Sequence, residues 1–119
     1  IDGYDCEHFN DLVANEYEVL FYAEINHEVA GVLIAVEREF PPLPLFVGGK
    51  FVVVEELSVT ERFRRKGVAK ALMAAAEEWA RSRGVQHMQL SVWEKNTVAI
   101  ALYESLDYKP KLIRYYKDL

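Results

Sequence analysis

The apolar positions change period part-way along the chain. Residues 18–25 and 29–37 are rich in Val, Ile, Phe and Tyr, with Asn26-His27-Glu28 between them. β-Branched and aromatic residues suit a pleated sheet, so these runs predict a β-hairpin with a short polar turn. Gly31, inside the second run, predicts a bulge or a close backbone approach. Phe51 to Leu57 is a further apolar run, and residues 50–59 read as a third strand. Then Val68, Leu72, Ala76 and Trp79 or Ala80 recur at helical spacing, with Glu77, Glu78 and Arg81 turned elsewhere. That predicts an amphipathic helix over 67–83, capped by Gly84. Residues 86–93 alternate as a strand, with Met88, Leu90 and Val92 on one face. Strand, helix, strand over this distance implies a right-handed crossover and a locally parallel pair.

The flanks read less regularly. Phe9, Leu12 and Val13 stand at i, i+3 and i+4, which predicts a short helix over 5–15. Phe40 to Gly49 contains Pro41, Pro42 and Pro44 and cannot be regular structure. Its apolar character fits either a loop packed on the core or a wall of a binding site. A second helix is expected at about 97–106, burying Val98, Ala99, Leu102 and Leu106. Residues 108–118 read as a terminal strand or strand pair interrupted by Pro110. The fold class is therefore mixed α/β, a single domain over 1–119.

Between the third strand and the first helix lies the candidate chemistry. Arg64, Arg65 and Lys66 precede Gly67 where the chain turns into the helix. The first turn of a helix has unpaired N–H groups and a partial positive charge, so it attracts anions. Gly67 lets backbone approach such an anion closely, and Arg adds bidentate pairing. The sequence points to a phosphate-bearing ligand and excludes two classes of it. A dinucleotide fingerprint needs three glycines where this loop has one. A Walker A loop would follow its Gly-Lys with Ser or Thr, whereas Gly48-Gly49-Lys50 is followed by Phe51.

Composition narrows the partners. The formal net charge of −5 argues against bulk nucleic-acid binding and mildly favours cationic acceptors such as amines. Cys6 is the one cysteine, so no internal disulfide can form and a reducing cytoplasm fits best. His8, His27 and His87 lack metal-ligand spacing, and no metal is expected. No stretch approaches the roughly 20 apolar residues of a membrane span, and no signal peptide is visible.

Arg64-x-x-Gly67-x-Ala69 resembles the [QR]-x-x-G-x-[GA] acetyl-CoA loop of the GNAT superfamily of N-acetyltransferases. Leu57-Ser58-Val59 before it and Gly67-Val68-Ala69-Lys70-Ala71-Leu72 after it extend the match. Asn96-x-x-Ala99-x-x-x-Tyr103-x-x-x-Asp107-Tyr108 resembles a second GNAT pattern, N-x-x-A-x-x-x-Y-x-x-x-G-[FY]. Asn96 is also an N-cap candidate, and capping can coexist with cofactor contact. At 3.6 residues per turn, Asn96 and Tyr103 share a helix face. Asp107 stands where the family has Gly, and Asp tolerates a left-handed cap better than most residues.

The resemblance implies a mostly antiparallel sheet with a parallel pair splayed at the cofactor site, flanked by helices. It covers residues 18–118. The family's first strand and first helix have no counterpart in the sequence reading, so the domain is expected to be N-terminally incomplete. The activity implied is acetyl transfer from acetyl-CoA to an amine of a small molecule, protein or peptide. Backbone N–H groups near Leu57 and Val59, around Ser58, would face the pantetheine and the thioester. Those from Arg65 through Lys66, Gly67 and Val68 to Ala69 would hold the pyrophosphate. Arg64, Arg65, Lys66 and Lys70 would supply charge, and Asn96 and Ala99 would line the cofactor. Tyr103 would be the general acid at the sulfur. Glu56 or Glu55 would be the base, or water would relay the proton. The segment Leu112-Ile113-Arg114-Tyr115-Tyr116 is a candidate for pairing across a homodimer. A non-catalytic acyl-CoA-binding or regulatory module is the alternative function.

Overall fold

The computed structural model describes residues 8–40 and 49–119, with 8–15 described by backbone alone. Its strands are β1 (His8–Asn15), β2 (Glu18–Ile25), β3 (Glu28–Phe40), β4 (Gly49–Val59) and β5 (Met88–Leu90). Helix α1 (Val68–Ser82) joins β4 to β5, and α2 (Thr97–Ser105) follows β5. The strands form one sheet in the order β1-β2-β3-β4-β5. Every pair is antiparallel except the last, where Val52, Val53 and Val54 lie beside Met88, Gln89 and Leu90 in parallel. The expected mixed architecture with one parallel pair therefore holds.

The β2–β3 hairpin closes on Asn26 and His27, both left-handed at φ 52° and 67°. Two left-handed central residues make the type I′ turn whose twist matches the strands it joins. Gly31 fulfils both expectations placed on it. The register between β2 and β3 shifts beside it, where Ala23 pairs Gly31 and Glu24 pairs Val29. A Cβ at Gly31 would stand 2.9 Å from the Ser58 carbonyl oxygen and 2.9 Å from Val68 Cγ1. Its absence lets the first turn of α1 lie close on the sheet.

One sheet face and one helix face make the core. Val19, Phe21, Ala23, Leu33, Ala35, Val52 and Val54 are buried against Val68, Leu72, Met73, Ala76 and Ala80 of α1. Ala80 is buried at the end of the stripe, and Trp79 packs on it half-buried. Helix α1 ends in a Schellman motif. Gly84, at φ 75°, donates to the Arg81 carbonyl, and the Val85 N–H donates 2.9 Å to that of Ala80. The Arg83 guanidinium stacks over Trp79 and donates to Glu37, a carboxylate only 6% exposed, fixing this end of α1 to β3.

Four expectations need correction. The segment given as a helix over 5–15 is a strand over its described part, with residues 5–7 outside the described residues. Phe9 and Val13 stand an even number of positions apart, which suits a strand as well as a helix. Pairing from His8 with Glu24 to Asn15 with Glu18 covers the edge of β2, whose backbone groups a helix would leave unpaired. The strand read over 86–93 shrinks to Met88–Leu90, and Val92 lies exposed. Its partner β4 bulges immediately past the last rung, so residues 91–93 lose their ladder. Helix α2 buries no residue fully, and Val98 is 81% exposed. The helix starts beyond the end of β5, so only Tyr103, Leu106 and the following Tyr108 reach the core. Residues 108–119 form no strand, and Leu112, Ile113, Tyr115 and Tyr116 are exposed. The three-residue edge of β5 is too short to seat them. Of the stretch Phe40 to Gly49 expected to be irregular, Phe40 ends β3 and Gly49 begins β4, paired with each other, and residues 41–48 lie outside the described residues.

Candidate active site at the parted strands

A single extra residue in β4 organises the site. Ile34 pairs Glu56 and Ala35 pairs Val54, which leaves Glu55 as a bulge. Alternate residues of an antiparallel strand send their N–H groups to opposite sides. Val52 N–H donates to His87 beside β5, whereas Thr60 N–H donates to Ala30 of β3. Those two positions have the same parity, so the alternation has flipped between them, and the bulge is what flips it. Leu57 and Val59 consequently turn their N–H groups toward the β5 side, beyond its last rung at Leu90. The expected splay at 55–59 is therefore present. It leaves donors facing a gap.

The bulge also sorts side chains. Leu57 and Val59 pack half-buried on the core, while Glu56 and Ser58 are exposed together. The Ser58 hydroxyl donates 2.6 Å to Glu56. Glu55 accepts from Arg38 at 2.6 Å in an exposed ion pair. The rule that only one of two adjacent strand residues can face a given side fails here, because the extra residue breaks the alternation.

Past β4, a 3-10 turn at Glu61–Phe63 is anchored by the buried Phe63. Arg64 Nε donates to the Val59 carbonyl at 3.3 Å, tying the loop back to the strand. Arg65 and Gly67 are both left-handed, at φ 64° and 82°. Gly67 is the N-cap of α1 and offers no side-chain oxygen to the first turn, which contains no acidic residue. Ala71 is the first residue to donate to the Gly67 carbonyl, at 3.0 Å. The N–H groups of Val68, Ala69 and Lys70 thus form the open end of the helix dipole. The Val68 side chain is buried, so its contribution here is backbone. Arg65, Lys66 and Lys70 are exposed around this end.

Helix α2 starts past the C-terminal end of β5, as α1 starts past that of β4. Both N-termini therefore lie at the same end of the parallel pair, where open α/β sheets bind ligands. Asn96 caps α2, its Oδ1 accepting from Ala99 N–H at 3.1 Å. Tyr103, the α2 residue that reaches the core, is half-buried, and burial pushes its phenol above the usual value near 10. Its ring meets that of Tyr108 edge-on, with centroids 6.2 Å apart. Asp107 is left-handed at φ 69°, as expected for the position where the family places Gly.

Two contributors went unassigned in the sequence. Gly31 carried a backbone signal but nothing that tied it to this loop. Glu77 reads only as turned off the apolar face of α1, yet it accepts 2.7 Å from the Tyr108 hydroxyl. Among the described residues, no group of His, Cys, Asp and Glu is placed to hold a metal ion. No helix there is long and apolar enough to cross a membrane.

Residues 2–108 match the acetyltransferase (GNAT) family. The chain belongs to that family. It is an acetyltransferase of amines, and its acetyl donor is acetyl-CoA. It is 31% identical over 110 residues to a thialysine N-epsilon-acetyltransferase of Caenorhabditis elegans, covering 87% of this chain and 69% of that protein. It is 33% identical over 108 residues to an N-alpha-acetyltransferase of Sulfurisphaera tokodaii, covering 85% of this chain and 64% of that one. Among solved structures, a Bacillus halodurans protein superposes with a TM-score of 0.83 at 20% identity, over 89% of this chain and 69% of its own. An aminoglycoside N-acetyltransferase in complex with CoA superposes with a TM-score of 0.76 at 23% identity, over 88% of this chain and 69% of its own. At such identities these two speak for the fold. Nothing among the relatives favours the non-catalytic alternative.

Proposed function

We propose that this chain transfers an acetyl group from acetyl-CoA to the primary amine of a small molecule or of a peptide or protein, at the parted ends of β4 and β5. The observation that carries this is the uncapped first turn of α1 beside a strand whose N–H groups face an open gap. An acceptor-free cradle of backbone donors, ringed by cations and without a carboxylate in the turn, fits a pyrophosphate and a thioester arm. The N–H groups from Arg65 to Ala69 hold the phosphates, with Arg64, Arg65, Lys66 and Lys70 supplying charge. Those of Leu57 and Val59 orient the arm and stabilise the oxyanion. Asn96 and Ala99 complete the wall.

Acetyl-CoA supplies the thioester carbonyl and a thiolate leaving group. An alkylammonium must lose a proton before its nitrogen can attack. Glu56 accepts that proton, directly or through water, because Arg38 already holds Glu55 in an ion pair. The C–N bond forms as the C–S bond breaks, the Tyr103 phenol gives its proton to the departing sulfur, and the second proton lost by the nitrogen returns to the phenolate through water. A phenol held above its usual pKa stays protonated for this task. The acceptor approaches from the exposed face that carries Glu56 and Ser58, opposite α1. Its amine is of the kind named for the relatives, a lysine-like side chain or a chain terminus. Leu112, Ile113, Tyr115 and Tyr116 pair across a homodimer, which removes their exposed surface from water.

The test is calorimetric titration with acetyl-CoA, followed by an amine panel with a free-thiol readout. The panel holds lysine analogues, N-terminal peptide amines and aminoglycosides. Binding followed by thiol release with one amine class supports the proposal. Competition by inorganic phosphate as strong as that by CoA would refute the cofactor assignment. Binding without release on any amine would refute catalysis by this chain.

A further inference from the structure

The two halves of the site sit on different helices, and α2 buries no residue fully. Something must fix its Tyr103 relative to the cradle on α1. The other side-chain hydrogen bonds of α2 stay within it, from Ala99 N–H to Asn96 and from Ser105 to the Leu102 carbonyl. One hydrogen bond crosses to α1 among the described residues. Tyr108 Oη donates to Glu77 Oε2 at 2.7 Å, part-buried. The other oxygen of Glu77 faces Arg81 at 3.8 Å, so each carboxylate oxygen has its own partner. Glu77 lies on α1 itself, within the helix whose first turn forms the cradle.

Tyr108 is in turn coupled closely to Tyr103. Left-handed Asp107 folds the chain back so that Tyr108 N–H donates to the Tyr103 carbonyl at 2.9 Å. The edge-on ring contact adds a side-chain constraint. We infer that the Tyr108–Glu77 hydrogen bond is a pin that sets α2 on α1, and that Tyr108 and Glu77 are positioning residues for the Tyr103 hydroxyl. A displacement of about 1 Å at a reacting group can cost on the order of 100-fold in rate. A part-buried bond between the helices can therefore matter to turnover without touching either ligand. Burial, the hydrogen bond to Glu77 and the charge of Glu77 all hold the Tyr108 phenol protonated, which keeps the donor in place.

This inference rests on Tyr103 as the general acid, so its experiment measures both. Four single variants, Tyr103→Phe, Tyr108→Phe, Glu77→Leu and Glu77→Gln, and the Tyr103→Phe/Tyr108→Phe double variant are compared for kcat, acetyl-CoA affinity and melting temperature. Tyr108→Phe keeps the ring and removes only the hydroxyl. It should lower kcat roughly tenfold with acetyl-CoA affinity unchanged. Glu77→Leu should copy it, and Glu77→Gln, which keeps a carbonyl acceptor, should restore most of the rate. The Tyr103→Phe/Tyr108→Phe double variant should be no slower than Tyr103→Phe alone, because the pin acts through the group already lost. Normal kcat in Tyr108→Phe beside a damaged Tyr103→Phe would overturn the pin and leave the acid standing. Losses that multiply in the double variant would overturn it as well. Full activity in Tyr103→Phe would overturn the acid assignment, and the pin with it.

Discussion

Helices α1 and α2 start at the same end of the sheet, yet their first turns are treated in opposite ways. The N-cap of α1 is Gly67, which has no side chain, and three N–H groups are left open among basic residues. The N-cap of α2 is Asn96, whose side chain takes the Ala99 N–H. The difference follows packing. Val68, Leu72, Met73, Ala76 and Ala80 bury one face of α1, so the helix does not depend on a cap for its stability. Helix α2 has no fully buried residue and relies on its ends. A well-packed helix can leave its terminus free for a ligand, and a thinly packed one cannot. Substituting the two caps tests this directly.

The largest effect is expected from Gly67→Glu. It places bulk and a negative charge at the open dipole end, where an anion must sit. Acetyl-CoA binding should fall below detection by calorimetry while the circular dichroism spectrum stays native. Gly67→Ala is the control. At φ 82° any Cβ costs about 1–2 kcal/mol, and Ala carries that strain without the charge. Unchanged affinity in the glutamate variant would remove α1 from the site.

Tyr103→Phe comes next. Loss of a general acid costs on the order of 100-fold in kcat, with cofactor affinity nearly constant. The pH profile gives the sharper reading. The phenol is raised by burial, so the protonated acid persists above the ordinary value of about 10. Activity should hold through that pH and decline only above it, and the decline should vanish in the variant. The stability sign agrees. A group whose folded pKa exceeds its unfolded one contributes fully below the unfolded value, and the contribution is lost as pH rises through the folded one. An alkaline limb that persists in Tyr103→Phe would assign it to another group.

Asn96→Ala closes the comparison from the other side. An N-cap of this kind is worth about 1 kcal/mol, and α2 has little packing to absorb the loss. The melting temperature should drop by a few degrees with acetyl-CoA affinity changed far less than in Gly67→Glu. A loss of affinity without a loss of stability would make Asn96 a ligand contact first and a cap second.

What could be read in the chain divides along the same line. The loop from Arg64 to Gly67 and the stripe of α1 carry dense local signals, namely charge type, a glycine at a turn and a strong helical period. Their placement follows from the residues themselves. The extent of β5 does not, because its alternation over 86–93 continues where the ladder stops. The stop is dictated by Glu55 of another strand. Val98 fits the apolar face of an isolated helix but lies where α2 overhangs the sheet. In the first segment, Phe9 and Val13 satisfy two periods at once, and the neighbouring strand decides between them. The site was legible where it depends on backbone ends and charge. It was not legible where it depends on Gly31 and Glu77, whose partners are distant in sequence.

The smallest effect concerns the other end of α2 and separates packing from capping there. Both helices end in the same motif, with Gly84 at the left-handed position after α1 and Asp107 after α2. A left-handed L-residue costs about 1–2 kcal/mol, and Asp less than most. Glycine removes that strain but adds roughly 0.5–1 kcal/mol of chain entropy to the unfolded state. The two nearly offset, so Asp107→Gly should stabilise by only about 0.5 kcal/mol, read as a rise of about two degrees in thermal melting. The Tyr108 N–H to Tyr103 bond survives the change because glycine keeps the turn, so kcat should not move. If stability falls instead, the aspartate carboxylate is supplying something beyond backbone geometry. Helix α2 would then be held by its side chains at both ends, Asn96 at the first and Asp107 at the last.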